Sequence, residues 1–177
     1  MNTGPLDNAA GAKLTGDAAA HFSSPGEGTP IAPGRYVSVD ALTAVEFLPG
    51  LGFRPVQGEG VLTNFVSFAP GAVAPRHAHE EEQIVIVLEG ELEFDLDGDV
   101  RTLRKGDVAV IPAWVPHGAW TTDGYCQEVD IFCPPRQSLL ALAAAQAAAA
   151  AQAAAAAQAA TAGQDANADA ATARDDA

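Results

Sequence analysis

The run Gln83-Ile84-Val85-Ile86-Val87-Leu88-Glu89-Gly90-Glu91-Leu92-Glu93-Phe94-Asp95-Leu96-Asp97-Gly98 holds the strongest structural signal in the chain. Ile84 to Leu88 is an unbroken apolar run, which predicts a strand covered on both faces. Glu91 to Asp97 alternates without exception, placing Leu92, Phe94 and Leu96 on one face and the acids on the other. Asp97-Gly98 is a hairpin signal, and Val100 to Leu103 is the returning strand. Outward from there, Val61 to Phe68, Val108 to Ile111 and Cys126 to Phe132 are further strand candidates. Gly71, Pro75, Gly90, Gly106, Pro112, Pro116 and Gly124 punctuate them. Short strands at this spacing predict an all-β sandwich or barrel over residues 36–137. No helix-length periodic segment interrupts them, which excludes a βαβ architecture.

Both flanks are compositionally biased. Residues 1–35 are rich in Gly, Ala, Pro, Ser and Thr without apolar periodicity, and are expected to be a disordered leader. Residues 138–177 follow Leu139, Leu140 and Leu142 with alanine runs broken by Gln146, Gln152 and Gln158. Alanine is the best helix former, but a six-residue spacing puts the three glutamines on different faces. The segment reads as a low-complexity tail, partly helical or disordered, dissolving from Thr161 and docked, if at all, through its leucines.

Of 177 residues, 9 are Lys or Arg and 23 Asp or Glu, a net charge of −14. Such a chain repels phosphate backbones and anionic membrane surfaces, so neither nucleic acid nor membrane is an expected partner. Cys126 and Cys133 are too few for a disulfide scaffold. The first residues show no basic, apolar secretory pattern. A cytoplasmic protein with reduced thiols is expected.

Three of the four histidines fall in two short segments, Arg76-His77-Ala78-His79 and Pro116-His117-Gly118. On a strand running regularly from 77 to 87, His77, His79 and Gln83 point to one side, with Val85 and Val87 beyond them. His117 arrives from another strand. Three imidazoles and an oxygen donor form a transition-metal set suited to Zn, Fe, Ni, Mn or Cu. Glu82 is the competing fourth ligand, and a local bulge would bring it inward. Glu81 shares the inward parity.

Gly71, His77-x-His79, Gln83 and Gly90 together resemble the first motif of the cupin superfamily, and Gly106, Pro112 and His117 its second. The family usually has Glu where Gln83 stands, Gly where Trp114 stands, and Asn after the last histidine. The resemblance implies a single-domain conical jelly-roll β-barrel. It further implies one divalent transition metal per chain (Zn, Fe, Mn or Ni) at its mouth, held by His77, His79, Gln83 and His117. Four neutral ligands would leave the full charge on such a metal, which favours polarising an oxygen over supporting a high-valent state.

Asp130 and Phe132 share one face of the last strand, and Arg136 follows a Pro134-Pro135 step. An Asp within an apolar strand needs a partner if buried. Arg suits a two-pronged grip on a carboxylate, although an exposed Asp–Arg surface pair also fits the spacing. The Asp-x-Phe-x-x-x-Arg pattern is similar to small pectin-degradation cupins that ketonise unsaturated monouronates. That resemblance implies Asp130 as the proton-transfer group, Phe132 as an apolar wall and Arg136 as the clamp on a substrate carboxylate.

The expected function is metal-assisted proton transfer on a small oxygenated acid, of isomerase, tautomerase or lyase type. A non-catalytic ligand-binding cupin and a cupin dioxygenase are the alternatives. The outward parity of Ile84, Ile86 and Leu88 predicts a homodimer through sheet packing.

Overall fold

The computed structural model describes residues 28–175, with side chains as far as residue 159. The expected leader lies outside the described residues as far as residue 27, and residues 28–35 form neither helix nor strand. From Tyr36 onward, nine strands and one long helix are described. They are β1 (Val45–Leu48), β2 (Leu51–Gln57), β3 (Leu62–Phe68), β4 (Val73–His77), β5 (Glu82–Leu96), β6 (Asp99–Arg104), β7 (Val108–Ile111), β8 (His117–Trp120), β9 (Cys126–Cys133) and α1 (Gln137–Asp175). Strand neighbours run β1-β2-β3-β9-β5-β8-β4, with β6 and β7 also paired to β5. The pairs are antiparallel, and the sheet curls into the expected jelly-roll barrel.

β5 organises the barrel. The two strands expected on either side of Gly90 are one 15-residue strand. Its first half pairs with β7 and β9, and its second half with β6 and β8. The register slips against β9 between Val87 and Glu89, and Gly90 takes φ +81°, where a Cβ would lie 2.0 Å from the Tyr125 carbonyl oxygen. Glycine therefore bends the strand from one set of partners to the other without ending it. The Asp97-Gly98 turn, with φ +51° and +92°, closes the β5–β6 hairpin as expected.

The period-2 pattern sets the core. Val85, Val87, Leu92 and Phe94 of β5 face inward with Leu51, Val66, Phe68, Ile111 and Cys126. Cover on both faces of β5 is not met within one chain. Ile84 and Ile86 are only half-buried and Leu88 is 40 % exposed. Ile84 and Ile86 pair across the sheet with exposed Val110 and Val108 and with Ile131 and Val129, leaving an apolar outer face.

The regular strand expected from residue 77 to 87 also breaks. β4 ends at His77 and β5 starts at Glu82. β4 belongs beside β8 whereas the start of β5 belongs beside β7 and β9, so residues 78–81 carry the chain between different neighbours.

α1 docks through its first turn. Leu139 is buried against Leu62 and Phe132, with Leu140 and Phe53 packed beside them, and the Gln146 amide donates to the Glu46 carbonyl at 2.7 Å. The helix continues past Thr161, where the sequence predicted dissolution; the alanine tract sustains it. Its segment Gln137–Ala159 is long and apolar enough to span a membrane by length and composition, with mean hydropathy 1.5, and it is little buried.

Candidate metal centre

His77 ends β4 and His117 begins β8, and the two are directly paired across the strands. His79 sits in the crossing between β4 and β5. The ring centroids are 4.4 Å apart for His77–His117, 5.0 Å for His79–His117 and 5.6 Å for His77–His79. One nitrogen from each ring falls within 4.8 Å of the others. The two segments singled out in the sequence therefore meet, despite the break after His77.

The backbone fixes the orientation of the rings. His77 Nδ1 lies 2.8 Å from the Pro75 carbonyl, His79 Nδ1 3.0 Å from that of Glu81, and His117 Nδ1 2.8 Å from that of Val115. A carbonyl only accepts, so each Nδ1 must carry the proton, and each Nε2 keeps a free lone pair. His117 Nε2 is buried with no hydrogen-bond partner. Burial pulls the His77 pKa down and that of His117 down to about 4, which keeps both rings neutral, the form that binds metals.

Gln83 stands beside the three rings. It is buried on the inward face of β5, whereas Glu82 points outward and is exposed. Gln83 Oε1 lies 3.0 Å from His79 Nε2. With Nδ1–H engaged, these are two acceptors held side by side, an arrangement that one shared cation would relieve. The donor set thus fits a divalent transition metal, with three imidazole nitrogens and the Gln83 oxygen in position to hold it. Glu81, also buried, brings a carboxylate oxygen to 3.2 Å from His79 Nδ1 and so adds negative charge behind that ring.

Asp130 has the partner its burial demands. The Gln83 amide nitrogen donates to its Oδ1 at 2.6 Å, which also turns Oε1 toward the imidazoles. Burial drives the Asp130 pKa up to about 7, against the opposing pull of Gln83, Asn64 and Arg136. Phe132, two residues on, has its ring 5.6 Å from that of His79. Arg136 folds back over Phe132, with its guanidinium carbon 5.5 Å from the ring centroid. Burial lowers the Arg136 pKa, and the charges of Glu81 and Asp130 oppose that. The surface-pair alternative does not hold, because Asp130 and Arg136 both line one cavity of about 500 Å³ with His77, His117, Gln83 and Phe132.

Trp114 and the two cysteines stand apart from the chemistry. Trp114 is 67 % exposed and occupies φ +67°, the glycine-favouring conformation of the resembled motif; its backbone N–H donates to the His79 carbonyl at 2.8 Å. The Cys126 thiol is pushed up to about 12 by burial and by Glu128, so it is no nucleophile, and Cys133 is a free exposed thiol. Two residues were missed. Asn64 and Glu128 are buried and line the same cavity. Inward parity on β3 and β9 was the available signal for both.

Comparison with known proteins agrees with this geometry. The cupin domain family matches residues 64–132. The pectin degradation protein KdgF of Dickeya dadantii (strain 3937) is 32 % identical over 76 residues, which is 42 % of this chain and 69 % of that protein. The structure of KdgF from Halomonas sp. superposes with a TM-score of 0.58 at 29 % identity, covering 60 % of this chain and 99 % of that one. A gentisate 1,2-dioxygenase from Streptomyces sp. is 33 % identical over 70 residues, 39 % of this chain, but the match spans only 20 % of that relative's length. In motif, fold and the meeting of its three histidines, the chain belongs to the cupin family and is similar to the pectin-degradation KdgF proteins.

Proposed function

We propose that this cupin is a metal-dependent enzyme that moves a proton on a small oxygenated carboxylic acid, as an isomerase, tautomerase or lyase. The observation that carries the reading is Asp130, a buried carboxyl on the cavity wall beside the imidazole cluster, hydrogen-bonded to Gln83. A carboxyl so placed can both take and return a proton. Likeness to the KdgF proteins, one of them named for pectin degradation, supports a sugar-acid substrate.

His77, His79, His117 and Gln83 would hold one divalent cation (Zn, Fe, Mn or Ni), which when bound supplies Lewis-acid polarisation of a substrate oxygen. The Asp130 carboxylate, held by a hydrogen bond from the Gln83 amide, accepts the proton from the carbon or hydroxyl next to that oxygen and, as the carboxylic acid so formed, returns it to another atom of the substrate. Arg136 grips the substrate carboxylate, and Phe132 excludes water from the reacting carbons. Asp130→Asn keeps shape and hydrogen bonding but removes the base. Metal content should then equal wild type while turnover of an unsaturated uronic acid falls roughly 10²-fold or more. Full activity in Asp130→Asn would remove the proton-transfer reading. His77→Ala and His117→Ala should each release the metal; retained stoichiometry in both would sink the ligand assignment.

A second reading, oxygenase chemistry, draws on the likeness to gentisate 1,2-dioxygenase. Oxygen uptake by the iron-loaded protein with substrate would favour it. We further propose a homodimer through the apolar outer face of β5, β7 and β9, for which light scattering at monomer mass is the contrary result. A cytoplasmic location is proposed from the two free thiols.

A further inference from the structure

The cavity has a polar floor beyond the proton-transfer group. Asn64 of β3 and Glu128 of β9 are 1 % and 4 % exposed, and both line the cavity. Asn64 stands opposite Asp130, and Val66 stands opposite Glu128. On β5 the matching positions are Val85 and Val87. Glu128 is therefore one inward step beyond Asp130 and two beyond Phe132, roughly 13 Å of strand from the level of Phe132. Its surroundings are apolar, with Leu51, Phe53, Val66, Phe68 and Phe94 on the same cavity wall.

Asn64 Oδ1 and Glu128 Oε2 there have no hydrogen-bond partner, and Asn64 Nδ2 has none in good geometry although it faces Asp130 and lowers that group's pKa. Buried polar groups in native proteins are almost always paired, and an apolar side chain would satisfy this wall as well as Val66 does. Polar groups left open at the end of an otherwise oily pocket are a ready recognition surface for groups that both donate and accept. Alcohol hydroxyls do both.

We propose that Asn64 and Glu128 form a hydroxyl-binding floor that selects polyhydroxylated acids over alkyl acids of the same length. This rests on the reading of Arg136 as the clamp on the carboxylate, which sets the ligand's far end toward the floor. Neither residue acts on the reacting atoms; both determine specificity.

The test compares two probes with the full-length, metal-loaded protein: gluconate and 2-hydroxyhexanoate. They share six carbons, the carboxylate and the neighbouring hydroxyl, so contacts to Arg136 and to the cation are common to both. Only the remaining hydroxyls differ. Dissociation constants by calorimetry should favour gluconate by about ten-fold or more, since a site built for hydroxyls leaves its own buried groups unpaired when they are missing. Asn64→Leu and Glu128→Leu should each collapse that ratio toward unity. Glu128→Gln, which keeps the shape, serves if the leucine variant fails to fold, and should reduce the ratio by a few-fold. Arg136→Ala should weaken both probes together and leave the ratio intact. Equal binding of the two probes by wild type, or a ratio unchanged in the folded Asn64 and Glu128 variants, overturns the proposal and means that these atoms hold only water. If Arg136→Ala weakens neither probe, the clamp reading fails while the ratio still judges the floor.

Discussion

Replacing Asp130 with Asn should make the metal-free protein more stable at alkaline pH, and the size of the gain follows from the burial of the carboxyl. In the unfolded chain the group ionises near its ordinary value of 3.8, and in the folded protein only at about 7. Below pH 3.8 both states are protonated and no penalty exists. Between there and about 7 the unfolded chain sheds a proton that the folded one retains, so stability falls as pH rises. Above about 7 the penalty is complete, on the order of 4 kcal/mol. The groups facing Asp130 are Gln83, Asn64, Arg136 and Glu128. The first three hold its pKa down, and burial outweighs them. Glu128, itself driven well up by burial and by Asp130, adds a penalty of the same sign.

An amide carries no such term, and the substituted side chain can still accept from the Gln83 amide. Urea unfolding of chelator-treated protein is the assay, because a bound cation would favour the ionised carboxyl. With slopes of about 1–3 kcal/mol per molar urea, the Asp130→Asn variant should unfold at a midpoint about 1–4 M higher at roughly pH 8. The two proteins should converge as the pH is lowered toward about 4. A variant less stable than wild type at alkaline pH, with no pH-dependent gap, would refute the reasoning and make Asp130 a structural anchor.

Gly90→Ala should lower stability by about 3 kcal/mol or more, since both the positive φ and the 2.0 Å approach to a backbone oxygen resist a Cβ. Gly106→Ala is the control, with φ +91° and nothing within 4 Å. It should lose only the conformational term of about 1–2 kcal/mol, and equal losses on thermal melting would show that the close approach at Gly90 contributes nothing. Leu139→Ala should cost about 2–4 kcal/mol, because the side chain is 7 % exposed and packed on Leu62 and Phe132. Truncation after Ala145 should leave the melting temperature nearly unchanged, and a large drop on that truncation would place docking energy further along the helix.

Most strands were legible because alternation is local: Leu92, Phe94 and Leu96 announce their face without help from the rest of the chain. The joining of two expected strands into β5 was not legible. Gly90 looks like a turn residue until the Tyr125 carbonyl is placed beside it. Nor was the break after His77, because parity assumes a straight strand whereas the change of neighbours is a property of the sheet. The histidine cluster survived that error, since the pairing of His77 with His117 is set by β4 and β8. Asp130 was legible as a charge in an apolar strand. Glu128 has the same parity in the same strand, yet it sits beside Gln127 near the strand's start, where an acid is unremarkable by sequence. Asn64 was hidden in the same way between Thr63 and Phe65. The docking of Leu139 depends on Phe132 and Leu62 lying together at the cavity, which no local pattern encodes.

The cavity wall also divides its labour by strand. The imidazoles come from β4, the crossing after it, and β8, whereas Glu128, Asp130, Phe132, Arg136 and Leu139 all come from one uninterrupted stretch of 12 residues that ends in the first turn of α1. On the proposed reading, ligand recognition from floor to mouth is carried largely by a single short segment without histidines, with Asn64 of β3 the exception. A natural or engineered exchange of that segment could retune which acid is accepted while the cation's nitrogen ligands stay in place. Substrate range in such a barrel can drift by local rewriting, without the metal chemistry having to be invented again.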